Sequence, residues 1–306
     1  MRIAIITQAA FVFALMLGAN TAIAAPPPVK IGLIDLGIER TNFADLPNVT
    51  VRTRTFWTSG TAEARRQDNA HSKSHGEEMV RTMVKSIRAI DTDTPVIVYV
   101  ATPFRADPKT AALTLDMDDL AFAYNWLSHE GVRVVAETFV GPDSDEQHTA
   151  VRRASALGLV ILASAGNGPR HNAVPPFPAA YEEAISISTT ALSAELSREQ
   201  DRDSYVDFSV APRMMSAIAY RNDPEAASLH GSSAATASAA GILAALGQRA
   251  TLNDRADGMM LLACVARPVA GFAGGRAWGD GVLIPTEIGA KLRAQGHDAH
   301  PCGQAA

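Results

Sequence analysis

Four short segments carry residue types that together can cleave an acyl bond. Ile34-Asp35-Leu36-Gly37 ends an apolar run in a carboxylate, and Ser74-His75-Gly76 supplies an imidazole. Gly231-Ser232-Ser233-Ala234-Ala235-Thr236 supplies a hydroxyl, and Ala163-Ser164-Ala165-Gly166-Asn167-Gly168 a side-chain amide. A serine hydroxyl is a poor nucleophile near neutral pH until a base takes its proton, and imidazole, with an ordinary pKa of about 6.5, suits that task. In this arrangement Ser233 is the candidate nucleophile and His75 the candidate base. Asp35 would hold the ring in the right tautomer and stabilise the imidazolium. Asn167 and the unpaired backbone N–H groups at a helix start would meet the developing oxyanion. Singly, each residue has a plain reading: a turn Asp, a capping His, an N-cap Ser, a turn Asn. Their joint occurrence points to chemistry.

Alternating strand and helix signals surround these segments. Pro26-Pro27-Pro28 leads into the apolar run Val29 to Ile34, which stops at Asp35. Asn48 to Phe56 alternates and is β-branched enough for a second strand. Met79, Val80, Met83, Val84 and Ile87 recur at helical spacing, which puts His75 at a helix start. Strand and helix then repeat: Val96 to Val100, a helix around Leu120, Ala123, Tyr124 and Leu127, Val132 to Val135, and a helix through Val151, Ala154 and Leu157. Leu159 to Ala163 is a continuous apolar run suited to a central strand, and Ala184 to Thr189 reads as one more. The pattern predicts an α/β fold of three layers, a mostly parallel central sheet with helices on both faces. Ligand sites in such folds gather at the carboxyl ends of the strands, where Asp35 lies.

The chain has 306 residues and a formal net charge of -5. With a pI near 5.9 and no dense Lys/Arg run, nucleic acid and anionic membranes are poor partners, and a small or peptidic substrate fits better. Met1-Arg2, the apolar stretch Phe11 to Leu17 and Ala22-Ile23-Ala24 read as a signal peptide over residues 1–24. Residues 25–306 then form a single domain with its core at 29–294 and a tail at 295–306, periplasmic or secreted and without a membrane anchor in the mature form. In an oxidising compartment the two cysteines, Cys264 and Cys302, can form a disulfide. Alternatively Cys264 is a buried thiol and Cys302 is free. His297, His300 and Cys302 match no ordinary zinc spacing.

At these residues the chain resembles a subtilisin-family serine peptidase, from about Val29 to about Leu283. The order Asp, His, Ser is that family's order. Val29 to Gly37 resembles its strand ending in Asp-Ser/Thr-Gly, Ser74-His75-Gly76 its Ser-His-Gly-Thr, and Leu162 to Gly168 its Ala-Ala-Gly-Asn segment. Gly231 to Gly241 is similar to its Gly-Thr-Ser-Met-Ala-Thr-Pro-His-Val-Ala-Gly. Phe177 to Tyr181, Val206 to Pro212 and Gly279 to Leu283 match further stretches of the family. The resemblance implies Asp35, His75 and Ser233 as a triad, with Asn167 and the Ser233 amide as oxyanion donors. It also implies that substrate binds as an added strand against Thr138-Phe139-Val140-Gly141 and Ser164-Ala165-Gly166.

The pattern departs from the family at several positions. Leu36 stands for a small hydroxyl residue, Glu77 for Thr, and Ala234, Ala237 and Ser238 for Met, Pro and His; none removes a reacting group. Thr138-Phe139-Val140 in place of Ser-Leu-Gly adds bulk where glycine lets a substrate backbone approach, which is expected to narrow the groove. Few residues separate the signal cleavage site from the first strand, too few for the family's propeptide. Folding then proceeds unaided or with an assisting or inhibitory partner protein. Asp201, Asp203 and Asp207 are expected to be a solvated loop plus one structural carboxylate rather than a calcium site, and no metal or cofactor is expected. The reading is an exported serine endopeptidase acting on peptides or proteins through an acyl-enzyme at Ser233. The alternatives are a subtilisin-like domain that binds peptides or partner proteins with little turnover, and an esterase.

Overall fold

The computed structural model describes residues 26–38, 43–56, 70–106, 113–167, 175–189, 206–210, 231–268, 280–296 and 299–303. The expected signal peptide, Gly168, Asp201, Asp203, Pro212, Gly279 and His297 lie outside them. Along the described chain run β1 (Val29–Ile34), β2 (Val49–Thr55), α1 (Ala70–Ile90), β3 (Val96–Thr102), β4 (Phe104–Ala106), β5 (Leu113–Leu115) and α2 (Met117–His129). They are followed by β6 (Val134–Glu137), α3 (Asp145–Ala156), β7 (Val160–Ser164), β8 (Ala184–Thr189), β9 (Phe208–Val210), α4 (Ser232–Leu246), α5 (Arg255–Val265), β10 (Val282–Leu283) and α6 (Pro285–Gln295).

Eight strands form one sheet in the order β10-β9-β8-β7-β6-β1-β3-β2, and every neighbouring pair is parallel. The apolar runs are long because the central strands are covered on both faces. On one face Ile31, Leu33, Val98, Ala136 and Leu162 pack against α1, α4, α5 and α6; on the other Tyr99, Val135 and Ile161 pack against α2 and α3. The outermost strand, β2, carries exposed Arg52 and Arg54, a charge pattern that discourages further strand pairing.

Chain order reverses around β1, which pairs with β3 on one side and β6 on the other. This reversal opens a crevice at the carboxyl ends of β1 and β6, the place for a ligand site. Helix α1 buries Met79, Val80, Met83, Val84 and Ile87, and truncating one such core side chain to alanine costs about 2–5 kcal/mol. It starts at Ala70, so His75 stands in its second turn and not at its first residue. The polar residues before Met79 carry no apolar stripe, and the extra turn is invisible to periodicity.

A two-stranded antiparallel hairpin, β4–β5, overhangs the crevice. Arg105 ties it to α2 through Asp119, Nη2 to Oδ2 2.5 Å. At the far end Cys264 and Cys302 form a disulfide, which fastens residues 299–303 to α5, and Arg293 of α6 donates to the Ala89 carbonyl at the end of α1. A crosslink closing a loop of this size typically contributes about 2–4 kcal/mol. His300 Nδ1 accepts from the Cys302 N–H. No helix among the described residues is long and apolar enough to cross a membrane.

Candidate functional site

Asp35 follows the last residue of β1, its N–H held by the Ala101 carbonyl of β3. Its side chain is 1% exposed and surrounded by donors. The Leu36 N–H reaches Oδ1 at 2.6 Å, the Thr138 hydroxyl donates to Oδ2, and His75 Nδ1 lies 3.0 and 2.9 Å from the two oxygens. Leu36 contributes through its backbone N–H, a donor that does not depend on a hydroxyl side chain at that position. His75 reaches Asp35 because α1 lies hard against the end of β1: a Cβ on Gly76 would sit 2.1 Å from the Gly37 carbonyl oxygen. No side chain fits at that contact, which explains the glycine after the histidine.

Burial of the His75 ring opposes its charge, but the Asp35 charge and hydrogen bond, with a smaller contribution from the Glu78 charge, outweigh it and raise the pKa above the ordinary histidine value. A proton on Nδ1 facing the carboxylate leaves Nε2 as the acceptor.

Ser233 is the second residue of α4, whose N-cap, Gly231, offers no side chain to the free N–H groups. The Ser232 N–H donates to Asn167 Oδ1 at 2.7 Å, and the Ser232 hydroxyl donates to the same oxygen at 2.9 Å. Ser164 meets the Ser232 hydroxyl at 2.6 Å. With Oδ1 committed to two donors, Asn167 has only its NH2 group to present to the crevice. Gly231 permits this approach, since a Cβ there would stand 2.6 Å from Asn167 Oδ1. The N–H of Ser233 has no partner among the described residues.

Asp35, His75, Asn167 and Ser233 border one cavity of about 590 Å³. The Ser233 hydroxyl donates to the Thr138 carbonyl at 2.9 Å and makes no hydrogen bond to His75.

The segments expected to take substrate divide into three kinds. Thr138, Phe139, Val140, Ser164 and Gly166 border the cavity. Thr138 does not obstruct it, because its hydroxyl turns inward to Asp35, and Phe139 stacks edge-on against Phe104 with centroids 5.0 Å apart. Gly141 also borders the cavity, but its N–H and C=O are both bonded to Phe177, so as an open main-chain edge it is withdrawn. Ala165 does not border the cavity: it is buried, and its N–H is bonded to the Ile187 carbonyl. Ser164 acts by side chain, steadying Ser232. The backbone groups of Val140 make no hydrogen bond with described residues and remain for an incoming strand.

Ser232 and the Thr138 hydroxyl orient other groups, a role that motif spacing does not disclose. Glu137, beside Thr138, is also absent from any sequence signal. It is completely buried, Oε1 takes the Tyr124 hydroxyl, and Oε2 has no partner among the described residues. Burial pushes its pKa up to about 8, against the smaller effect of the Tyr124 bond. Asp207 is a structural carboxylate that accepts from the Ser186 N–H and Arg255. Among the described residues no group of three His, Cys, Asp or Glu could hold a metal ion.

Comparison with solved structures places the fold. The chain is similar to the protease domain of PatA, determined as a mutant, with 13% identity, TM-score 0.52, and coverage of 88% of this chain and 96% of that one. It is similar to a lanthipeptide protease, with 14% identity, TM-score 0.54 and 88% coverage of each chain. It is also similar to the prenylagaramide maturation protease PagA, with 16% identity, TM-score 0.52, and coverage of 87% and 94%. A search of curated proteins finds no match. The family model described as the subtilase family matches residues 28–257, well over half of the chain and all four motif segments. The chain therefore belongs to the subtilase family and is a protease domain of that family.

Proposed function

We propose that the protein is an exported serine endopeptidase that cleaves peptide bonds through an acyl-enzyme at Ser233. The observation that carries this reading is the Asp35–His75 pair, at 2.9 to 3.0 Å, bordering the same cavity as Ser233 and Asn167. In the proposed reaction the Ser233 hydroxyl leaves the Thr138 carbonyl, passes its proton to His75 Nε2, and Oγ bonds to the scissile carbonyl carbon. The oxyanion takes hydrogen bonds from the Asn167 NH2 and the Ser233 N–H. As the C–N bond breaks, His75 returns the proton to the leaving amine, and water then hydrolyses the ester by the same route. Asp35 steadies the imidazolium throughout. Export is supported by the Cys264–Cys302 disulfide, a bond that persists in oxidising compartments, and by the leader-like residues 1–24.

The Ser233 hydroxyl resting on a carbonyl favours a second reading, a peptide-binding domain with little turnover. A fluorophosphonate probe separates the two. Labelling of the wild type that vanishes in Ser233→Ala supports the peptidase, and a folded wild type that takes no label supports the binding domain. Casein and a small ester assayed together distinguish peptidase from esterase.

A further inference from the structure

The cavity beside Ser233 has a second character. Beyond the polar groups already placed and Ser144, its walls are mainly apolar and include Phe104, Leu115, Met117 and Phe139. Among these apolar walls stands one uncharged amide, Gln147. It lies on the inward stripe of α3 with Ala150, Val151 and Ala154, and it is 3% exposed. Its backbone N–H goes to the Ser144 cap, but its side-chain amide makes no hydrogen bond with any described residue. The residue borders the cavity. The amide atoms are open to the cavity and its water, and a side chain that fills the cavity displaces that water, leaving the amide unmet unless it bonds to it. A ligand group that bonds to it avoids that cost, and a ligand of the same shape without a polar end bears it.

We propose that Gln147 is a specificity-determining residue, selecting a substrate side chain with an apolar body and a hydrogen-bonding end, tyrosine over phenylalanine. This rests on the peptidase reading above. The aromatic ring packs among Phe104, Leu115, Met117 and Phe139, and the phenol hydroxyl meets the Gln147 amide, which both donates and accepts. An extended peptide paired with the free backbone groups of Val140 sends alternate side chains toward and away from this wall, so one substrate position carries the preference.

The test measures binding and turnover separately. Matched peptides differing only by Tyr or Phe, one position at a time, are titrated onto Ser233→Ala protein, and the same peptides are given to the wild type for cleavage. Tyrosine at one position should bind roughly tenfold more tightly than phenylalanine, the size of one hydrogen bond to an otherwise unmet group. That ratio should fall to near one in both Ser233→Ala/Gln147→Leu and Ser233→Ala/Gln147→Met. The second variant keeps a flexible chain of similar length and guards against a packing defect. Equal affinities at every position, or a preference that survives both substitutions, overturns the assignment. A tyrosine preference that Gln147 controls, in a protein whose wild type cleaves none of the peptides, upholds it and counts against the peptidase reading alone.

Discussion

Asp35 and Glu137 are both carboxyl groups with almost no exposed surface, and they stand at the carboxyl ends of neighbouring parallel strands, with Ile34 in register with Glu137. Their surroundings differ in donors. Asp35 accepts from the Leu36 N–H, the Thr138 hydroxyl and His75, so both of its oxygens are engaged. Glu137 has Tyr124 on one oxygen and no described residue on the other, and its pKa is pushed up to about 8. Depth alone does not decide what a buried carboxyl does; the donors supplied by the chain around it do. The group with both oxygens engaged faces His75, and the one with a single donor is completely buried beside Thr138.

The largest effect that tests this contrast is at Asp35. Asp35→Asn should reduce kcat/KM by roughly 10⁴-fold, because an amide neither stabilises the imidazolium nor fixes the tautomer. The pH profile supplies the sign. His75 must be neutral to accept a proton, and its raised pKa puts the acidic limb of kcat/KM above the ordinary value of about 6.5. Without the Asp35 charge, burial is opposed only by the smaller effect of Glu78, so the limb should move to lower pH in Asp35→Asn; a limb that stays fixed would remove His75 as its source. Asn167→Ala should come next, at about 10²- to 10³-fold in kcat with KM little changed. An unaltered kcat would take Asn167 out of the mechanism. Thr138→Val removes one of the donors to Asp35 while keeping its shape. A loss of about tenfold in kcat, the size of one hydrogen bond to a charged group, is expected, with the melting temperature measured alongside to separate catalysis from stability.

The parts of this arrangement that sequence discloses are those with a periodic or motif signature. The run from Val29 to Ile34 is apolar because β1 is covered on both faces, and its end at Asp35 is visible as the first charge. The strands and helices as far as β8 are legible for similar reasons. The hairpin β4–β5 is not, since strands of three residues carry too little alternation to register, and yet it walls the cavity. Helix α6, Pro285-Thr-Glu-Ile-Gly-Ala-Lys-Leu-Arg-Ala-Gln, buries only a few residues and has a correspondingly thin stripe. Around the site, motif order brings forward Asp35, His75, Asn167 and Ser233. It does not disclose Ser232 as the anchor of Asn167 or Thr138 as a donor to Asp35, because those contacts join residues 65 and 103 positions apart. The closing of Gly141 onto Phe177 is likewise a pairing between distant segments. The choice between a disulfide and two thiols turned on whether residues 299–303 return to α5, and no local pattern records that return.

Glu137 offers the smallest effect on catalysis and the clearest reading of the contrast. Between about pH 4.5 and 8 the unfolded chain has lost this proton while the native protein keeps it. The native state therefore binds more protons, and stability falls as pH rises through that window, by at most about 1.4 kcal/mol per unit, levelling off above 8. Glu137→Gln keeps the shape of the neutral acid and does not titrate. It should leave kcat near pH 7 within about twofold, and the difference in unfolding free energy between variant and wild type should grow in the variant's favour from pH 5 to pH 8. His75 adds its own decline, because its raised native pKa contributes stability below about 6.5 that is lost as pH climbs through the native value. That decline is common to both proteins, so the difference between them isolates Glu137. Denaturant midpoints at four pH values are sufficient. Parallel curves for the two proteins would mean that Glu137 ionises in the native state as readily as in water, and the distinction drawn from its missing donors would fail.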